Sequence, residues 1–181
     1  MSEESSIQAL KSRAEKSFRS GKFAEAADIF QQAYQMCAQS GDAVKAAEMA
    51  NSRSVALLQA GNAAAALEAA QGTDAVFAQA GDINRQGLAL GNQAAALEGL
   101  NRLEEALARY IQCNTLLKQA GDEENRAAVL KSISALQIRT GHQFEALASM
   151  DAALENQKKL SLQERFLKKL LDIPMKMLRK G

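Results

Sequence analysis

The chain has 181 residues, 47% of them hydrophobic, a single proline (Pro174), few aromatics and a formal net charge of +1. That is enough for one compact domain or a short solenoid; it excludes collagen-like, disordered and disulfide-rich classes and gives no global electrostatic case for nucleic acid. Ala, Leu, Glu, Gln and Lys dominate, an all-helical composition. Cys37 and Cys113 lack metal-type spacing and read as reduced, partly buried thiols. The N-terminal residues are polar and acidic, and the apolar run Ala63–Ala70 is short and interrupted by Glu68, so neither a secretory signal nor a membrane span is expected. The expected location is cytoplasmic.

A first helix is predicted from about Glu3 to Ser20, with Ser2, Ser5 or Ser6 as N-cap candidates and Ile7, Leu10, Ala14 and Phe18 at helical spacing. Gly21 ends it in the left-handed conformation that a Cβ resists. A second helix, Lys22 to Gln39, buries Phe23, Ala26, Ala27, Phe30, Ala33 and Met36. Gly41 then closes the unit, and Asp42 stands where a carboxylate caps the next helix.

This joint, Ser40-Gly41-Asp42, recurs as Ala80-Gly81-Asp82 and Ala120-Gly121-Asp122, 40 residues apart each time. A second ladder, Gly21, Gly61, Asn101 and Gly141, runs half a period out of phase. Two ladders on one period mean a helix pair copied four times, over about 1–40, 41–80, 81–120 and 121–160. The remaining helices are predicted at Val44–Ala60, Asn62–Gln79, Ile83–Leu100, Arg102–Gln119, Glu123–Thr140 and Gln143–Lys158, with connections short enough to force antiparallel neighbours. One aligned column is alanine throughout (Ala26, Ala66, Ala106, Ala146) and another is small throughout (Ala14, Ser54, Ala94, Ser134). Small side chains at fixed points let facing helices approach closely, and stacking buries the apolar face no pair buries alone. After the fourth copy, Ser161-Leu162-Gln163-Glu164 is a capping box that opens a ninth helix to about Asp172. It carries Leu162, Phe166, Leu170 and Leu171, is broken or kinked by Pro174, and is expected to cap the last apolar face over residues 161–181.

The columns resemble the tetratricopeptide (TPR) repeat: Gly21, Phe23 and Ala26, then Asn101, Leu103 and Ala106, with Gly61/Ala66 and Gly141/Ala146 as weaker copies. Phe30 and Tyr110 match the family's second-helix aromatic. Ala33 and Ala153 match its next alanine, replaced by Thr73 and Cys113 in the middle copies. The 40-residue period is similar to the long-repeat subclass of Leu-Gly-Asn-type adaptors and kinesin light chains; Leu90-Gly91-Asn92 reproduces the tripeptide. The family's usual first-helix Trp is missing, with Leu10, Ala50, Leu90 and Leu130 in its place. The resemblance, over residues 7 to 160, implies a right-handed superhelical all-α solenoid of four repeats.

Catalysis is not expected. The lone histidine, His142, follows a turn glycine, and no nucleophile or carboxylate set converges on it. Glu25, Glu105 and Glu145 stand at helix starts, where the dipole accounts for them. No cofactor or metal is expected. The resemblance implies instead a concave groove lined by first helices and binding a protein or peptide. By column its lining is Lys11, Asn51, Gly91 and Lys131; Ser12, Ser52, Asn92 and Ser132; Glu15, Val55, Ala95 and Ala135; Phe18, Leu58, Glu98 and Ile138; and Arg19, Gln59, Gly99 and Arg139. The partner contacts singled out are Lys11, Asn51, Ser52, Val55, Leu58, Gln59, Asn92, Ala95, Lys131, Ser132 and Arg139. The family's carboxylate clamp is not reproduced in either register.

Two other readings stay open: a self-assembling scaffold in which a repeat end or the last helix exchanges between copies, and an anionic membrane or nucleic-acid surface met by the tail. Arg165, Lys168, Lys169, Lys176, Arg179 and Lys180 would make those contacts on a basic amphipathic helix. Neither membrane nor nucleic acid is the expected partner, because the helix's apolar residues are taken to seal repeat four.

Overall fold

The computed structural model describes residues 3–157 and 159–178, and side chains for 4–157 and 159–171. Lys158, Arg179 and Lys180, the N-cap candidate Ser2, and the side chain of Lys176 therefore lie outside the described residues. Ten helices are found among the described residues. They are α1 (Glu3–Arg19), α2 (Phe23–Gln39), α3 (Ala43–Gln59), α4 (Ala63–Ala70), α5 (Thr73–Gln79), α6 (Ile83–Gly99), α7 (Leu103–Ala120), α8 (Glu123–Arg139), α9 (Gln143–Glu155) and α10 (Leu162–Leu178).

The joints form as the ladders require. Gly41, Gly81 and Gly121 all take positive φ (71° to 76°), and so does Asn101 at 57°. The N–H of the next Asp reaches back to a carbonyl in the last turn, as in Asp42 N to Cys37 O at 3.0 Å, satisfying an acceptor the helix end leaves free. That same Asp then caps the following helix: Asp42 accepts from Lys45 N at 3.0 Å, Asp82 from Arg85 N at 2.8 Å and Asp122 from Asn125 N at 3.1 Å. Asn62 does so within the second pair, accepting from Ala65 N at 3.1 Å.

Close approach within each pair sits at the two small columns. Ala26, Ala66, Ala106 and Ala146 are at most 2% exposed, as are Ala14, Ser54, Ala94 and Ser134. The serines also bond across the pair: Ser54 Oγ donates to Ala66 O at 2.7 Å and Ser134 Oγ to Ala146 O at 2.8 Å. Pairs then stack through Phe30, Ile29 and Met49 at one end and Tyr110, Leu130, Ile133 and Leu136 at the other.

Three expectations are corrected. The helix over Asn62–Gln79 is not continuous: it breaks between α4 and α5 at Gln71 and Gly72, the latter with φ +78°. The carbonyl freed at Ala70 lies 2.7 Å from Thr73 Oγ1 and receives Gln93 Nε2 at 3.1 Å, so the break is hydrogen-bonded rather than frayed. Helix α9 ends at Glu155, where Asn156 Nδ2 donates to Ala152 O and Asn156 Oδ1 accepts from Arg126. Helix α10 continues through Pro174 to Leu178; a proline removes one backbone donor and strains one turn without fixing where a helix stops. Its capping box forms, with Ser161 N donating to Glu164 and Glu164 N to Ser161 Oγ.

At the end of α6, a Cβ on Gly99 would stand 2.9 Å from Ala63 Cβ and 3.3 Å from Leu58 Cδ1. Gly99→Ala is therefore expected to lower stability by about 1–3 kcal/mol, from overpacking against a Cβ that cannot swing aside. A denaturant midpoint unchanged or raised, as for an ordinary helical Gly→Ala, would contradict this close approach.

Candidate functional site

The first helices of the four pairs, α1, α3, α6 and α8, are tied to one another by polar contacts that each cross one joint. Lys11 of α1 pairs with Glu48 of α3, and Lys45 of α3 reaches back to Glu4 at 2.8 Å. Arg85 of α6 lies 3.5 Å from Glu48. Between α6 and α8, Asn84 donates to Asp122 at 2.9 Å and Arg139 to Glu98 at 2.7 Å. Lys131 of α8 pairs with Glu164 of α10 at 2.7 Å, so α10 continues the row of first helices. Partly exposed pairs of this kind stabilise by roughly 0–1 kcal/mol each. Their larger consequence is that three groups expected in the groove, Lys11, Lys131 and Arg139, have their charges matched within the chain.

Asn51 is also engaged, its Oδ1 3.0 Å from Thr73 Oγ1. Ser132 shares a hydrogen bond with Tyr110, whose hydroxyl pKa is pushed up to about 12 by burial and then by the charge of Glu98. Among the described residues, Ser52, Gln59 and Asn92 have no side-chain hydrogen-bond partner. Val55, Leu58 and Ala95 are half-buried, with Leu58 packed toward Gly99.

Ser52 and Val55 meet Glu15, Phe18 and Arg19 of α1 around an open cavity of about 250 Å³. Its floor is Phe30, a residue of α2 that is only 4% exposed. The column reading placed Phe30 in the core and not beneath the groove. The available signal was its column, Phe30, Ala70, Tyr110 and Met150, where an aromatic ring stands in the first and third copies.

A second cleft, about 610 Å³, lies on another face of α3, between α2 and the broken α4–α5 segment. Ala46, Ala47 and Ala50 floor it, and Tyr34, Arg53, Thr73 and Val76 line it. Sequence reasoning missed it. The available signal was Gly72, where the other copies carry Gln32, Gln112 and Ala152.

His142 is exposed in its turn, with Nδ1 3.0 Å from Thr140 Oγ1. Cys37 and Cys113 are both unpaired and fully buried. Burial pushes the Cys113 thiol pKa up to about 12, against a smaller opposing effect of the Gly91 backbone, so it is held as an inert packing group. Among the described residues no cluster of three or more His, Cys, Asp or Glu is placed to hold a metal ion, and no helix is long and apolar enough to cross a membrane. Of the tail residues, Arg165 and Lys169 are exposed and Lys168 is half-buried.

The fold as a whole has counterparts among solved structures. The TPR-like repeats of a kinesin light chain from Podosopora anserina superpose with a TM-score of 0.73 at 14% identity, over 97% of this chain and 94% of that one. A point variant of those repeats gives 0.74 at 15% identity, over 99% and 96%. The fold is a TPR-like solenoid. No protein-family model and no curated protein matches the sequence. At this identity the likeness is one of fold.

Two outcomes follow from the TPR-like arrangement. Neither cysteine should react with a thiol reagent at pH 8 in the folded protein, and both should react after unfolding; fast native labelling of Cys113 would contradict its burial. Hydrogen bonds from Lys131 and from the Ser161 backbone hold the Glu164 carboxyl pKa down at about 2. A depressed carboxylate stabilises the fold above its ordinary value of 4.5, and the contribution is lost as pH falls through the folded value. A carboxyl ¹³C titration should place the Glu164 midpoint near 2 and move it upward in Lys131→Met. An ordinary midpoint in the unmodified protein would show that α10 is not tied to α8.

Proposed function

We propose that the chain is a non-catalytic protein-interaction module that binds a peptide or helix from a partner along the row of first helices. The observation that carries this reading is the open cavity over Phe30, bounded by Phe18 and Val55, with the unpartnered Ser52 beside it. TPR-like repeats are generally protein-interaction modules, which supports the reading at the level of class.

The expected mechanism is specific about which groups act. An apolar side chain of the ligand enters between Phe18 and Val55, removing apolar surface from water. Ser52 and, at the next joint, Asn92 supply hydrogen bonds to the ligand main chain. The ion-paired residues Lys11, Lys131 and Arg139 fix the spacing of the helices and contribute little directly. We assign the four repeats to about 1–40, 41–80, 81–120 and 121–160.

A display library of random peptides selected on the immobilised chain tests this. Selected peptides should carry a bulky apolar residue and should lose about tenfold or more in affinity against Val55→Asp, with a smaller loss against Asn92→Ala, on the order of one lost hydrogen bond. Peptides that bind Val55→Asp as well as the unmodified chain would overturn the assignment.

A further inference from the structure

Helix α10 packs against α9 as a capping helix, but part of its apolar surface faces outward. Leu171 is buried at 5% exposure, but Leu162, Phe166 and Leu170 are exposed at 83%, 65% and 52%. These three stand four residues apart, so they form one stripe along the outer side of the helix. Arg165 and Lys169, also exposed, lie one position before Phe166 and Leu170 and flank the stripe along one edge. Neither has an acidic partner among the described residues, whereas Glu164 on the inner side is already matched by Lys131.

Two occupants fit this face poorly. A helix packed as the second helices are packed needs small residues at the contact, and α10, LQERFLKKLLDIPMKML, contains no Ala, Gly or Ser. A second copy meeting the stripe face to face would bring Arg165 and Lys169 of both chains together, a like-charge contact. Large apolar side chains beside exposed cations, without small residues, are the composition of a helix that lies in a lipid interface.

We propose that the outer face of α10 docks on an anionic lipid surface, with Leu162, Phe166 and Leu170 entering the headgroup boundary and Arg165 and Lys169 meeting lipid phosphates and carboxylates. The solenoid would then be held at a membrane by its last helix while the row of first helices stays free for a partner.

The test is co-sedimentation of the whole chain with vesicles of about 70:30 phosphatidylcholine and phosphatidylserine, and with phosphatidylcholine alone. The chain should pellet with the anionic vesicles only and should be released as salt rises from about 0.05 to 0.3 M. Partitioning should fall about tenfold or more for Arg165→Glu/Lys169→Glu and for Phe166→Ser/Leu170→Ser. Because all four side chains are exposed, both variants should keep the helical circular dichroism of the parent, which separates lost docking from lost folding. Equal pelleting with neutral vesicles, no pelleting, or loss-free variants would overturn the proposal. So would a dimer by light scattering that Phe166→Ser/Leu170→Ser dissolves while vesicles are ignored, since the stripe would then be a self-interface.

Discussion

Everything in this molecule depends on how closely two helices approach at one point in each repeat. The columns Ala26, Ala66, Ala106, Ala146 and Ala14, Ser54, Ala94, Ser134 hold nothing larger than a serine and are buried in every copy. Two of the four contacts are close enough for a serine hydroxyl to reach the carbonyl opposite. A Leu at either column would push the pair apart, and the error would propagate, because each repeat takes its position from the one before it. The joints add angular control: a left-handed glycine turns the chain, and the following aspartate caps the next helix. Packing sets the distance and the cap sets the direction.

The cavity proposed as the binding site follows from this spacing. First helices held one joint apart leave an opening between α1 and α3, with Phe30 of α2 beneath it. The ion pairs from Lys11 to Glu48 and from Arg139 to Glu98 cross the same row. They match the charges of Lys11 and Arg139 as they hold the row together, while Glu15 and Arg19 beside the cavity have no ion-pair partner among the described residues. A ligand over Phe30 would meet an apolar floor with one charge of each sign at its edge, which favours selection by shape and local charge matching over steering from a distance.

Much of the fold was legible because its causes are local and repeated. A glycine that must be left-handed and an aspartate that must cap are short-range demands, and repeated copies make them unmistakable. Gly72 was harder to read, since it stands alone, outside both ladders, and its break depends on Thr73 and on Gln93 from the next repeat. The residues expected to line a groove could be named by column, but their contacts within the chain could not. Lys11 and Asn51 looked available because their partners, Glu48 and Thr73, lie 37 and 22 residues further on. Phe30 looked like core because burial and lining a cavity floor are compatible. For α10, apolar residues at helical spacing were read as a seal, yet the stripe can face either way, and the sequence pattern alone does not say which side meets the solenoid.

The central claim is that a ligand lies along the first helices over Phe18, Phe30 and Val55, and not in the larger cleft floored by Ala46, Ala47 and Ala50. Backbone amide shift mapping by NMR, with a peptide selected on the chain as titrant, tests it most directly. The account predicts that the perturbed amides cluster at Phe18, Ser52, Val55, Asn92 and Ala95. Perturbations centred on Tyr34, Ala46, Ala50 and Thr73, with Val55 unmoved, would contradict it.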